Sequence, residues 1–242
     1  MRVTNNIYVL SGSYYGAIGD GGMAGEVYGI HTPEGMILID SGMAKAGLAQ
    51  IQETMAYYGI KEKISHVIIT HSHLDHTGSA KAIQEMGAKI IVGAEDAYMC
   101  TNGGYQSHNV NSPFNDTFTF DAFTPDLLID QDCTLEINGL QLTFIKTPGH
   151  TPGSMVIQVK MDGKTALFTG DVLEPEDSSF SDICLGWQGD VGFDRAAVVE
   201  SMMKLFNNYQ ADIILPGHGK LCLKNGTKLL RQAAKIAMLT MR

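Results

Sequence analysis

Four side chains able to bind a divalent metal fall within six residues, His71-Ser72-His73-Leu74-Asp75-His76. Imidazole nitrogens and carboxylate oxygens are ligands of zinc, and also of iron and manganese, so H-x-H-x-D-H points to a metal site. Its surroundings add to that reading. The apolar run Val67-Ile68-Ile69 reads as a strand ending at Thr70, and Thr77-Gly78 opens a helix. The ligands therefore sit on a loop at the carboxyl end of a strand, where open α/β sheets place their sites. The pattern recurs three times. Leu142 to Ile145 leads through Thr147-Pro148-Gly149 to His150, Ala166 to Gly170 leads to Asp171, and Ile213 to Gly217 leads to His218. Any one of these three reads as a turn Asp or a satisfied histidine. Together with the hexapeptide, four strand ends that each deliver a ligand are hard to explain by packing alone.

The elements that must position these groups follow from the hydrophobic pattern. Strands are expected at Ile7 to Leu10, Glu26 to His31 and Met36 to Asp40, with a Gly-rich loop from Ser11 to Gly25 between the first two. Leu48, Ile51, Met55 and Tyr58 recur at helical spacing within a helix from Lys45 to Tyr58. A strand from His66 to Thr70, a helix from Gly78 to Met86 and a strand from Lys89 to Val92 continue a βαβ alternation. From Leu127 to Val172 the pattern changes to strands with short turns, and Asn138-Gly139 and Asp162-Gly163 are strong hairpin signals. Helices are expected from Asp194, a suitable N-cap, to Tyr209 and from Thr227 to Met241, with a short strand at Asp212 to Leu215 between them. One domain spanning residues 1–242 is expected, with two sheets and outer helices. The segment from Glu95 to Asp126 fits neither period and carries Tyr98, Tyr105, Phe114, Phe118, Phe120 and Phe123, which suits a lid or a homodimer interface.

Bulk composition narrows the partners. Lys and Arg total 17 against 26 acidic residues, a formal charge of -9, so the chain lacks the basic footprint of a nucleic-acid binder. No apolar run is long enough to span a membrane and no signal peptide is apparent. Cys100, Cys133, Cys184 and Cys222 form no C-x-x-C pair and read as free thiols, so a reducing cytoplasm is the expected location.

The motifs in combination resemble the metallo-β-lactamase superfamily. The resemblance rests on Ile39-Asp40-Ser41-Gly42, the hexapeptide, Thr147 to Gly153, Thr169-Gly170-Asp171 and Pro216-Gly217-His218-Gly219, and covers nearly the whole chain. It implies an α/β fold, a four-layer αββα sandwich. Carried over residue by residue, it implies a first ion on His71, His73 and His150, a second on Asp75, His76 and His218, and Asp171 bridging them. Asp40 is expected to orient a ligand histidine. Two divalent ions per chain are implied, zinc first, with iron or manganese as alternatives. Sharing a water, they would lower its pKa and so generate hydroxide, with Asp75 as general acid–base.

Departures from particular branches narrow the activity. Classical β-lactamases usually carry Cys or Ser where Asp171 stands, diiron flavoproteins carry Glu where His73 stands, and transfer-RNA-processing nucleases carry a basic exosite. The ligand set resembles glyoxalase II and the N-acyl-homoserine lactonases, although the chain after His218 is too short for the glutathione-binding helical domain of glyoxalase II. The expected activity is hydrolysis of a small ester, thioester or lactone. A mononuclear iron oxidoreductase resembling the persulfide dioxygenases, or a phosphodiesterase, is the alternative. Tyr14, Tyr15, Phe114, Phe118, Phe180 and Trp187 are candidates for a substrate pocket, with core packing as the competing reading. His31, His66 and His108 read as structural or solvated histidines.

Overall fold

The computed structural model describes residues 1–15, 23–104, 119–177, 179, 181–190 and 192–241. These divide into two compact units, residues 1–129 and 130–242.

The first unit is built on a six-stranded sheet in chain order, β1 (Ile7–Ser11), β2 (Val27–Thr32), β3 (Gly35–Ile39), β4 (Ile64–Ile68), β5 (Lys89–Gly93) and β6 (Leu127–Ile129). The first three strands form an antiparallel meander and the rest run parallel to β3. Parallel neighbours need a crossover. Helix α1 (Ala44–Tyr57) supplies the first, and α2 (Leu74–Thr77) with α3 (Ala80–Glu85) the second. Strand β3 is buried along its whole length, as expected of an interior strand. Helix α1 buries Ile51 and Met55 into a core with Leu10, Leu38, Val67 and Ile90, and Leu48 and Tyr58 pack on its margin, so the helical spacing read from sequence is the buried stripe.

After β5, a 3-10 turn (Ala94–Asp96) leads into α4 (Ala97–Asn102). Phe123 is buried in the same core and Phe120 packs against it, and the Phe123 amide donates to the Cys100 carbonyl. Both rings serve packing rather than a lid. Tyr105, Phe114 and Phe118 lie outside the described residues, as do His108 and Phe180.

The second unit carries a five-stranded sheet in the order β13-β10-β9-β8-β7, where β7 is Cys133–Ile137, β8 Leu140–Lys146, β9 Met155–Met161, β10 Lys164–Gly170 and β13 Ile213–Pro216. Asn138 (φ 51°) with Gly139 (φ 70°), and Asp162 (φ 53°) with Gly163 (φ 71°), are left-handed at both turn positions. That is the backbone of the hairpin type expected from these dipeptides, and they join β7 to β8 and β9 to β10. A short pair, β11 (Glu174–Pro175) and β12 (Ile183–Cys184), stands apart. Helix α5 (Arg195–Asn208) begins at Asp194, whose carboxylate accepts the Ala196 and Ala197 amides. Helix α6 (Gly226–Thr240) buries Leu229, Leu230, Ala233, Ala234 and Ala237. Among the described residues, no helix is long and apolar enough to cross a membrane, and all four cysteines are free thiols.

Candidate metal centre

In the first unit, the parallel alignment of β3 beside β4 brings Asp40 to the hexapeptide. Asp40 is left-handed (φ 64°) and buried, a conformation that costs energy for a residue with a side chain and marks a constrained position. Its Oδ1 accepts the Thr70 amide at 2.7 Å. Its Oδ2 accepts the Thr70 hydroxyl at 2.9 Å and faces His76 Nδ1 at 2.7 Å. Burial pushes the carboxyl group's pKa up, and His76 and Thr70 oppose that.

This network fixes two tautomers. The Thr70 hydroxyl has one proton and gives it to Asp40, so at 3.1 Å from His71 Nδ1 it must accept. The His71 proton is therefore on Nδ1, and the carboxylate holds the His76 proton on Nδ1 in the same way. Both imidazoles are left with Nε2 as the coordinating atom, which is how metal-binding histidines are commonly oriented. His71 Nε2 lies 3.0 Å from His73 Nδ1, and His76 Nε2 lies 3.1 Å from Asp75 Oδ2. The backbone of His76 is held too, since its carbonyl accepts both the amide and the hydroxyl of Ser41. A Cβ on Gly25 would stand 2.6 Å from the His76 ring, so a side chain there would displace the ring.

In the second unit, three strand ends place His150, Asp171 and His218. The turn before His150 is clamped. The Gly149 carbonyl accepts the Asp194 amide, the Pro148 carbonyl accepts the Ser201 hydroxyl at 2.7 Å, and the Thr147 amide donates to the Ser154 carbonyl. Asp171 follows β10, and His218 follows β13, the parallel neighbour of β10. The Gly217 amide donates to the Gly170 carbonyl at 2.8 Å. Asp171 Oδ2 stands 3.6 Å from His150 Nε2 and 3.6 Å from His218 Nε2. That is too long for a good hydrogen bond and close to the ~3.4 Å that separates two ligands each ~2.1 Å from one tetrahedral ion. One carboxylate thus stands at ligand spacing from two histidines. Gly186 (φ +83°) lies against His150, and a Cβ there would be 2.6 Å from its Nδ1.

The donor sets in both units fit divalent metal. His71, His76, His150 and Asp171 are buried, and His73, Asp75 and His218 are half-buried. Sequence reasoning missed the roles of Thr70 and Ser41, and missed Gly186 altogether, because they act through contacts that no spacing along the chain encodes. A further group, Glu174, Glu176 and Cys184, gathers donor atoms within 4.8 Å of one another. Burial and the neighbouring carboxylates push that thiol up to about 12.

Of the pocket candidates, Tyr14 is 49 % exposed and Trp187 49 % exposed, so neither is a core residue. The amides of Tyr14 and Tyr15 donate to Glu26 Oε1 at 2.6 and 3.0 Å. Glu26 itself is buried, a tether the sequence did not reveal. His31 pairs with Glu62, and His66 Nδ1 lies 3.1 Å from Ser65 Oγ, so both have the structural surroundings expected of them.

A mixed α/β architecture with His and Asp at strand ends defines a class of metal-dependent enzymes, and the likenesses to known proteins specify which. The profile of the Metallo-beta-lactamase superfamily matches residues 20–218, and the chain belongs to that superfamily. It is 31% identical over 157 residues to a hydroxyacylglutathione hydrolase of Haemophilus influenzae, covering 63% of this chain and 68% of that one. It is 24% identical over 194 residues to a type 2 metallo-β-lactamase of Bacillus cereus, covering 79% and 66%. Among solved structures, the native FEZ-1 metallo-β-lactamase of Legionella gormanii matches with a TM-score of 0.74 at 22% identity over 99% of this chain and 94% of that one, a likeness of fold. The expected fold class is therefore the observed one. Members of the superfamily are metallo-hydrolases, and the His and Asp clusters imply divalent metal.

Proposed function

We propose that the chain hydrolyses a small ester, thioester or lactone with two divalent ions, zinc first. His71, His73 and His150 would hold one, Asp75, His76 and His218 the other, and Asp171 would touch both. The observation that carries this reading is Asp171 Oδ2 at 3.6 Å from both His150 and His218, the spacing expected of a shared ligand. When bound, the ions supply an acidified water and a polarised substrate carbonyl.

The chain's own residues do the rest. Asp40 keeps His76 in the coordinating tautomer directly, and His71 through the Thr70 hydroxyl. Asp75 takes the proton from the attacking water as the new bond to the acyl carbon forms. It then returns the proton to the leaving sulfur or oxygen as the old bond breaks, giving a carboxylic acid and a thiol or alcohol. The Haemophilus influenzae relative is a hydroxyacylglutathione hydrolase, and an acyl-glutathione is a thioester, which supports this substrate class. The side chain at position 171 separates the chain from classical β-lactamases, which usually carry Cys or Ser there.

The test is a screen of thioesters, lactones and phosphodiesters against protein loaded with zinc, manganese or iron. Turnover of a thioester or lactone is expected, and it should fall by orders of magnitude in Asp75→Asn. Turnover that consumes dioxygen on one iron would replace this reading with an oxidoreductase. Phosphodiester cleavage alone would move the substrate class.

A further inference from the structure

We infer that Asp96 is a positioning residue for the metal held by His71 and His73. This deepens the reading above and rests on it. Asp96 belongs to neither the hexapeptide nor the strand-end ligands. It closes the 3-10 turn after β5, and its residue is 0% exposed. A carboxylate fully removed from water is costly unless its oxygens are matched by donors, so its placement has a cause. Its Oδ2 accepts the backbone amide of Ser72 at 2.9 Å. Ser72 is itself buried, and its hydroxyl lies 3.1 Å from the Cys100 thiol and 3.4 Å from the Asp96 carbonyl.

The topology explains why these groups meet. Strands β4 and β5 are parallel neighbours, with Ile68 opposite Ile91, and the Ile69 amide donates to the Ile91 carbonyl. The loops leaving their carboxyl ends therefore run side by side, one carrying His71 to His76 and the other Asp96.

Ser72 is the residue between the two ligands. The orientation of its peptide plane sets how far apart and at what angle the His71 and His73 side chains emerge. With His71 Nε2 and His73 Nδ1 3.0 Å apart, a rotation of that peptide would move one nitrogen off the other's target. A charge-assisted bond from a buried carboxylate resists such rotation more strongly than a neutral one. Asp40 fixes the protons of the ligand rings, whereas Asp96 fixes the backbone that carries them, and outer groups of this kind typically change metal affinity by about 10–100-fold.

The test compares Asp96→Ala, Asp96→Asn and the parent chain in two measurements. These are zinc affinity by competition with a chromophoric chelator, and the visible spectrum of the cobalt(II)-loaded protein. A merely structural role would lower the unfolding temperature of the metal-free protein and leave the cobalt spectrum alone. We expect Asp96→Ala to bind the first zinc about 10–100-fold more weakly, with altered cobalt bands. Asp96→Asn keeps an acceptor oxygen but not the charge, and should fall between Ala and the parent. Parental affinity and spectrum in Asp96→Ala would overturn the inference. If that variant does not fold, parental values in Asp96→Asn would overturn it. A parent chain that binds no transition metal would sink the proposed function, and this inference with it. Metal binding by the parent that is indifferent to position 96 would sink this inference alone.

Discussion

Residues 1–129 gather four candidate ligand side chains in one six-residue segment, whereas residues 130–242 bring three from three strand ends far apart in sequence. In the first unit, covalent geometry already guarantees proximity. What remains is orientation, supplied by side-chain hydrogen bonds from Asp40, Thr70 and Ser41. In the second unit, proximity itself must be built. It comes from the register of β10 beside β13, the Gly217–Gly170 backbone bond and the clamp that α5 places on the turn before His150. A local motif is therefore vulnerable at its polar braces, and a dispersed one at its backbone.

That difference can be broken experimentally. The largest effect is expected at the polar brace. Asp40→Ala removes the acceptor that keeps His71 and His76 in the coordinating tautomer, and metal affinity should drop about 10–100-fold in a chelator competition. Affinity equal to the parent's would show that the rings need no such brace.

The smaller effect belongs to the backbone of the second unit. Gly186→Ala puts a Cβ at a positive φ and against His150, which should cost about 1–3 kcal/mol of stability in urea unfolding of the metal-free protein. Gly25→Ala sharpens the contrast. No positive φ applies there, so backbone strain is absent, but the new methyl meets the His76 ring that Asp40 holds in place. Stability should change less than in Gly186→Ala, with metal affinity changing more. The reverse order would remove the distinction between the two units.

The same distinction explains what the sequence could and could not reveal. His71, His73, Asp75 and His76 were legible because their spacing is the site. The strand-end positions of His150, Asp171 and His218 were legible because apolar runs and small turn residues mark where strands stop. Asn138-Gly139 and Asp162-Gly163 were legible because few dipeptides tolerate two left-handed residues. Helix α2 was not, since four residues are too few to show a period and the end of the hexapeptide that it contains, Leu74 to His76, read as loop. Strands β11 and β12 are two residues each and carry no alternation. Glu26 and Asp96 were missed for a different reason. A buried carboxylate looks like any surface acid in sequence, and only tertiary packing shows which amides it holds.

The central proposal is that Asp171 serves as a ligand shared by two ions, and metal content measures it most directly. Protein purified without chelator and analysed by plasma mass spectrometry should hold about two divalent ions per chain. Asp171→Ala should hold about one or fewer, because two cations would otherwise face each other without the carboxylate between them. Equal metal content in the variant and the parent, or a single redox-active iron in the parent, would contradict the account.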